Sequence, residues 1–386
     1  ATTVRNTASG YTRVGADFLV NIFDRSIATA AKAVGGGKGK VGWFDATPND
    51  DVFSLVFGLT NKTETEAIDT LIRLNFHKQA KGLYRELQDI ELGLGKNTSK
   101  KLTAARAIGK QLNALNTVSD NYFKRVALIS SLKKKLNQSY TRTIEEFSEA
   151  NYATLFNRNG KLKKTSEDII QKMGIRGDLK KAIETKKPYE EIKNLIRKEY
   201  DIIDMMKTNR FGTYLNGKVG QKVLKDSIQD ALYFTYQKTP DLAGARSILN
   251  FAHKAPFVTS SLVPFPRFIM NAMRFTYEYS PAYLLSPMNN AFRKSLAKDS
   301  ENYAEISKGL VGTAGIWGAM AFRESEWAGE KWWEGRLPNG KTFDLRPFFP
   351  FAPYLFLGDV INRTMKGEPV FGKSSLKETA QALSGT

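Results

Sequence analysis

Between Leu102 and Leu136 apolar residues recur at every third or fourth position, and no other stretch constrains the fold of this chain as tightly. The series runs Leu102, Ala105, Ile108, Leu112, Leu115, Val118, Tyr122, Val126, Ile129, Leu132, Leu136. Steps of three and four are the period of one helical face. Within it Ile108, Leu115, Tyr122, Ile129 and Leu136 form an unbroken heptad series. The spacing predicts one helix over about 99–140, about 60 Å long at 1.5 Å per residue. A chain organised in this way is predicted to be mainly α: an elongated multi-helix assembly with one long heptad-like helix.

The same stretch is strongly basic. From Lys96 to Arg142 there are eleven Lys or Arg and a single acid, Asp120. A lone charge run is usually a solvated helix face, but this imbalance extends over a whole helix, which could neutralise phosphates without reading sequence. The candidate polyanion contacts are Lys100, Lys101, Arg106, Lys110, Lys124, Arg125, Lys133, Lys134 and Lys135. The whole chain carries 58 Lys and Arg against 39 Asp and Glu, a net charge of +19. Self-repulsion of that size opposes compaction, so the excess suggests a polyanionic partner: nucleic acid, an anionic membrane face or an acidic protein.

Four regions follow from the punctuation. Residues 1–47 hold a small-residue amphipathic helix over 11–34, then a hinge at Gly35-Gly36-Gly37-Lys38-Gly39-Lys40. That run resembles a phosphate loop only superficially, because Val34 and Val41 stand where Gly and Ser or Thr are required. No signal-peptide pattern is read in residues 1–20, whose short apolar run is broken by Asp17. Residues 48–142 form the basic helical region; Thr63 and Glu66 make a capping box there for a helix through about Leu92. Residues 143–240 read as a helical bundle with pieces near 143–156, 165–173, 177–185, 188–207 and 218–236. Asn216-Gly217 fits an interhelical loop better than a hairpin.

Residues 241–386 change character, with aromatics and prolines crowded together. Prolines favour helix starts, which predicts helices near 264–279, 281–297 and 301–322. Gly309 to Phe322 is uncharged and rich in small residues, but at fourteen residues it is too short to span a bilayer. Ile316 and Trp317 lie within it, and Trp327, Trp332 and Trp333 follow as interfacial aromatics do. The pairs Arg267-Phe268 and Arg274-Phe275 are seven residues apart, on one helical face, and Arg346-Pro347-Phe348 adds another. Such pairs stack on bases, grip lipid phosphates, or make cation–π contacts in a core. The candidate membrane and assembly residues are therefore Ile316, Trp317, Trp327, Trp332, Trp333, Arg267, Phe268, Arg346 and Phe348. Asn339-Gly340 between alternating flanks predicts a small C-terminal β-hairpin, and Tyr354 to Ile361 a short apolar helix.

Catalytic chemistry finds little support. With no cysteine and only His77 and His253, disulfides, thiolate metal sites and multi-histidine centres are excluded. No nucleophile elbow, zinc-protease, calcium-loop or dinucleotide motif is present. The carboxylate pairs Glu145-Glu146, Glu190-Glu191 and Glu324 with Glu326 read as solvated helix acids. The expectation is a non-enzymatic protein without cofactors.

Val263-Pro264-Phe265-Pro266-Arg267-Phe268, then Tyr279-Ser280-Pro281, Asp344-Leu345-Arg346-Pro347-Phe348 and Ala352-Pro353-Tyr354-Leu355, carry a resemblance. Over about 240–365 the chain resembles the C-terminal parts of large polyvalent internal virion proteins of podovirus-like tailed bacteriophages. The stretch from Pro264 to Phe268 is similar to their P-L-x-R-F-G motif, with Phe265 in place of Leu and Ile269 in place of Gly. The resemblance implies a protein packaged inside the capsid near the portal, ejected with the genome, and assembling with copies of itself and other ejection proteins into a conduit across the host envelope. Double-stranded DNA, through non-specific phosphate contacts, and the host membrane are the further partners expected. The alternatives are a nucleic-acid-binding structural protein without a membrane role, and a fragment of a larger virion enzyme such as a wall hydrolase or polymerase.

Overall fold

The computed structural model describes residues 2–33, 83, 114–172, 175, 177–238, 266–285, 303–348 and 351–369. The chain is mainly helical, as its periodicity predicts, with one small antiparallel sheet near the C-terminus. It divides into two compact units: residues 1–59, 82–128 and 229–386 in one, and 60–81 and 129–228 in the other. The Gly-rich hinge, the capping box at Thr63 and the segment 99–113 lie outside the described residues.

The helices in chain order are α1 (Thr2–Ala33), α2 (Ala114–Glu146), α3 (Glu149–Thr154), α4 (Lys164–Lys172), α5 (Gly177–Glu184), α6 (Tyr189–Tyr200), α7 (Ile202–Lys207), α8 (Phe211–Asn216), α9 (Lys218–Phe234), α10 (Pro266–Glu278), α11 (Pro281–Leu285), α12 (Ala304–Glu324) and α13 (Ala352–Met365). The sheet pairs β1 (Glu334–Arg336) with β2 (Thr342–Asp344).

Two predicted helices are split by caps. The piece near 188–207 breaks at Asp201, whose extended backbone ends α6 while its carboxylate accepts from the Ile203 and Asp204 amides to open α7. The piece near 143–156 breaks at Ser148, whose hydroxyl accepts from Asn151 N to start α3. The Asn216-Gly217 step is an interhelical connection between α8 and α9, not a hairpin.

The described half of the heptad helix runs on to Glu146. Its burial differs from a one-faced seam: all seven residues from Val126 to Leu132 are buried. Seven residues sweep about 700° around a helix axis, so this stretch is enclosed on every side. Ala127 and Leu128 are apolar and Ser130 and Ser131 are small, so the face opposite the heptad series is buriable too. Tyr122, a member of the series, is instead 42% exposed.

In the second unit, Phe147, Tyr152, Leu155, Ile170, Leu179, Ile183, Ile192 and Ile196 pack into one core between α3, α4, α5 and α6. Phe156 and Leu162 bridge across a tight turn between α3 and α4, and Gly160 takes φ +73° there. Tyr152 donates to the Lys187 carbonyl at 2.6 Å, which fixes the α5–α6 turn against α3.

In the first unit, α12 packs against α1, α10, α11 and α13. Ala16, Val20, Phe275, Tyr279, Val311, Ala319 and Tyr354 form the core. The small residues of α12 permit close approach: a Cβ on Gly312 would lie 1.6 Å from the Tyr279 carbonyl oxygen. That same carbonyl accepts from the Tyr354 hydroxyl at 2.7 Å, joining α10, α12 and α13 at one point. The hairpin pairs Glu334 with Asp344, Gly335 with Phe343 and Arg336 with Thr342, and Gly340 supplies φ +78° at its turn.

Candidate functional site

Three features of the structure bear on function. The first is a buried ionic and aromatic centre in the first unit. Arg13 on α1 is 3% exposed and pairs with Asp17 one turn later at 3.3 Å. Five rings surround its guanidinium: Phe275 at 4.2 Å, then Tyr233, Tyr279, Tyr236 and Phe234 at 5.2, 5.4, 5.6 and 5.7 Å. Tyr279 donates to Asp17 Oδ1 at 2.5 Å, tying the first turns of the chain to a residue 262 positions away. Burial pushes the Tyr279 phenol well up, and Asp17 beside it adds to the rise.

A second group of charges adjoins it. Glu278 accepts from Arg274 Nε at 2.7 Å and from the Tyr233 hydroxyl, and lies 3.7 Å from Lys308, which also holds Glu305 at 3.0 Å. Burial alone would raise the Glu278 carboxyl, but Lys308, Tyr233 and Arg274 together hold it below the usual carboxylate range. Burial alone would lower the Lys308 ammonium, but Tyr233, Glu278 and Glu305 raise it well above its ordinary value. Every carboxylate here is met by cations and hydroxyls, so the arrangement is a paired structural network. No grouping of acids and histidines that could hold a metal occurs among the described residues.

The second feature is the outward side of α12. Leu310, Ala314, Trp317, Gly318 and Ala321 are all exposed and fall on one helical face, with no charge among them. Trp317 is 67% exposed. Gly318 also borders an open groove of about 280 Å³ with an almost wholly apolar lining, to which Phe322, Leu345, Phe348 and Leu355 contribute. No described helix is long and apolar enough to cross a membrane.

The third feature is the basic residues. Lys124, Arg125, Lys133, Lys134 and Lys135 are half-buried on α2, and Lys135 donates to Ser131 Oγ at 3.2 Å. Lys100, Lys101, Arg106 and Lys110 lie outside the described residues.

The aromatic candidates separate in space. Trp317, Trp327 and Phe348 face outward. Trp332 is 2% exposed, edge-on to Phe356 and packed against Ala352, so it belongs to the core and does not reach an interface. Ile316 is half-buried against the core of the first unit. Trp333 stacks beneath Arg346, whose guanidinium lies 4.9 Å from the ring and is held by Asp344 at 2.7 Å. Arg267 and Phe268 sit in the first turn of α10, with side chains outside the described residues.

Sequence reasoning missed the Arg13 centre, although a signal was present: Arg13 and Asp17, like Arg274 and Glu278, are opposite charges four apart on helices with apolar neighbours. No family model, curated protein or solved structure matches the chain.

Proposed function

We propose that this chain is a non-enzymatic internal virion protein of a tailed bacteriophage, packaged near the portal and ejected with the genome to help form a conduit across the host envelope. The observation that carries the reading is the outward stripe of α12, a face uncharged from Leu310 to Ala321 with an exposed tryptophan, on a chain of net charge +19. Residues 303–369, which contain that stripe, hold eight Lys or Arg and eight Asp or Glu. Net positive charge and the exposed apolar face thus belong to different parts of the chain. A protein that rests against packaged DNA and then acts at a bilayer needs both, one for phosphates and one for the interface. Contiguous exposed apolar surface is a mark of interaction sites.

On this reading α12 lies in the interface or lines up with other copies of the chain, because its uncharged stretch is shorter than a bilayer is thick. The partners are then further copies, other ejection proteins, double-stranded DNA and the host membrane. The resemblance of residues 240–365 to podovirus-like internal virion proteins supports the same assignment. A second reading, a nucleic-acid-binding structural protein with no membrane role, is favoured by the inner face of α12 and by Trp332, both committed to the core.

Mass spectrometry of purified particles before and after genome release tests the proposal. The chain is expected in full particles and missing from emptied ones. Absence from full particles, or retention after release, overturns it.

A further inference from the structure

The second unit carries a basic surface that no periodicity announces. Residues 151–187 hold ten Lys or Arg against four acids. The turn between α3 and α4 presents Arg158, Lys161 and Lys164, all exposed, while its apolar members Phe156 and Leu162 turn inward. Asn157 stiffens the turn by accepting from the amides of Asn159 and Lys161 at 3.0 and 2.9 Å. The α5–α6 turn lies beside it: Lys186 Nζ is 5.5 Å from the Phe156 ring centre and would lie 3.4 Å from a Cβ on Gly160. Among the described residues, no carboxylate lies within ion-pair distance of Arg158, Lys161, Lys164 or Lys186, whereas the neighbouring Lys187 holds Glu191 at 3.4 Å.

A second observation points to the same place. Lys186 sits at φ +52°, a left-handed position at the end of α5 where glycine is the usual residue. A lysine there costs backbone strain, and strain of this kind collects at positions where the side chain is used.

We infer that these two turns form a docking surface for the phosphate backbone of nucleic acid. The inference rests on the DNA contact in the proposed function and places that contact here. Charge complementarity selects a polyanion, and the inward Phe156 and Leu162 leave the turn no apolar residue to insert into a bilayer. The cations come from a stiffened turn and a capped helix end, so they are set in place before a partner arrives.

Binding of the full chain to a short labelled duplex, followed by fluorescence anisotropy over a series of salt concentrations, tests this. Changing Arg158, Lys161, Lys164 and Lys186 together to Gln is expected to weaken binding about 100-fold or more at low salt, and to reduce the slope of log K against log salt by about 3 to 4. Changing Lys207, Lys218, Lys222 and Lys225 to Gln removes the same charge from exposed positions in the same unit, and is expected to shift both far less. Lys186→Gly relieves the backbone strain, so it is expected to keep or raise the melting temperature while weakening duplex binding. Equal losses in the two four-residue sets, or a Lys186→Gly chain that binds as the wild type does, overturn the inference. So does loss of phosphatidylglycerol vesicle binding in the first set with duplex binding intact. None of these outcomes depends on where the chain resides in a particle, so failure here and failure of the virion assignment are separable.

Discussion

Arg13→Met isolates the contribution of the buried charge in the first unit. Methionine keeps the apolar stem among the five rings, so little packing volume is lost, and the main effect is to leave the Asp17 carboxylate, 6% exposed, without its cation. Breaking a buried pair from one side costs about 3–5 kcal/mol. The Tyr279 hydroxyl still donates to Asp17, which places the expected loss toward the lower end of that range. Asp17→Asn should cost less, about 1–3 kcal/mol, because the rings within 4.2–5.7 Å still receive the cation. The double variant contains no buried charge at this point. Its loss should therefore fall short of the sum of the single losses by about 1.5 kcal/mol or more. Trp317, Trp327, Trp332 and Trp333 all belong to this unit, so urea unfolding followed by tryptophan emission reports on it. With a slope of about 2–3 kcal/mol/M, Arg13→Met is expected to lower the midpoint by about 1–2 M. A midpoint lowered by less than a quarter of that, or additive losses in the double variant, would refute the pairing as the source of stability.

Gly312→Ala places a Cβ 1.6 Å from the Tyr279 carbonyl oxygen and is expected to destabilise the first unit by about 3 kcal/mol, read from its thermal midpoint; a loss below about 1 kcal/mol would mean that α10 and α12 are not in close contact. Stability should also depend on pH at both ends. Glu278 is depressed below its ordinary value near 4.5, so its contribution is full above that pH and lost as pH falls through the folded value; Lys308 is raised above 10.5, so its contribution is full below that pH and lost as pH rises through the folded value. Urea midpoints measured from acid to alkali should therefore plateau in between, and Glu278→Gln should flatten the acid side; an unchanged acid slope in that variant removes Glu278 as its cause. Trp332→Ala should cost about 3–5 kcal/mol by emptying a core site, whereas Trp317→Ala should leave the melting temperature almost unchanged and abolish flotation with vesicles. Flotation that survives in Trp317→Ala at wild-type level would remove the α12 face from the membrane contact.

Much of the architecture was legible because it follows from local rules. Proline at helix starts placed α10 and α11, and Asn339-Gly340 placed the hairpin, since only a residue tolerant of positive φ fits that turn. What remained hidden depends on partners distant in sequence. Asp201 and Ser148 look like ordinary polar residues inside a helical pattern until their side chains are seen to accept from amides of the following helix. The Arg13 centre needs Tyr279 and Phe275, more than 250 positions away, and no window on the sequence brings them together. The heptad series assigned one buried face to α2, but burial there is complete between 126 and 132, because small and apolar residues also occupy the other face. The basic turn at 157–164 was passed over because its cations follow no helical period.

The outward stripe of α12 is what the proposed function rests on. A helical stretch that is apolar on every side is normally enclosed by apolar surroundings, and within the described residues the uncharged stretch of α12, 309–322, is packed on one side only. Its inner face is fixed by Val311, Gly312 and Ala319 against its neighbours, while Leu310, Ala314, Trp317 and Ala321 meet solvent. Fold stability does not require those outer residue types. Lys or Glu at 310, 314 and 321 would form the helix about as well, since their propensities lie within a few tenths of a kcal/mol of Leu and Ala, and charge would improve solubility. On the proposed reading, the exposed tryptophan among small apolar residues meets an apolar partner, lipid or another copy. Glu at both 314 and 321 is the discriminating replacement: the fold should melt where the wild type melts, and the contact, whether with lipid or with another copy, should be lost.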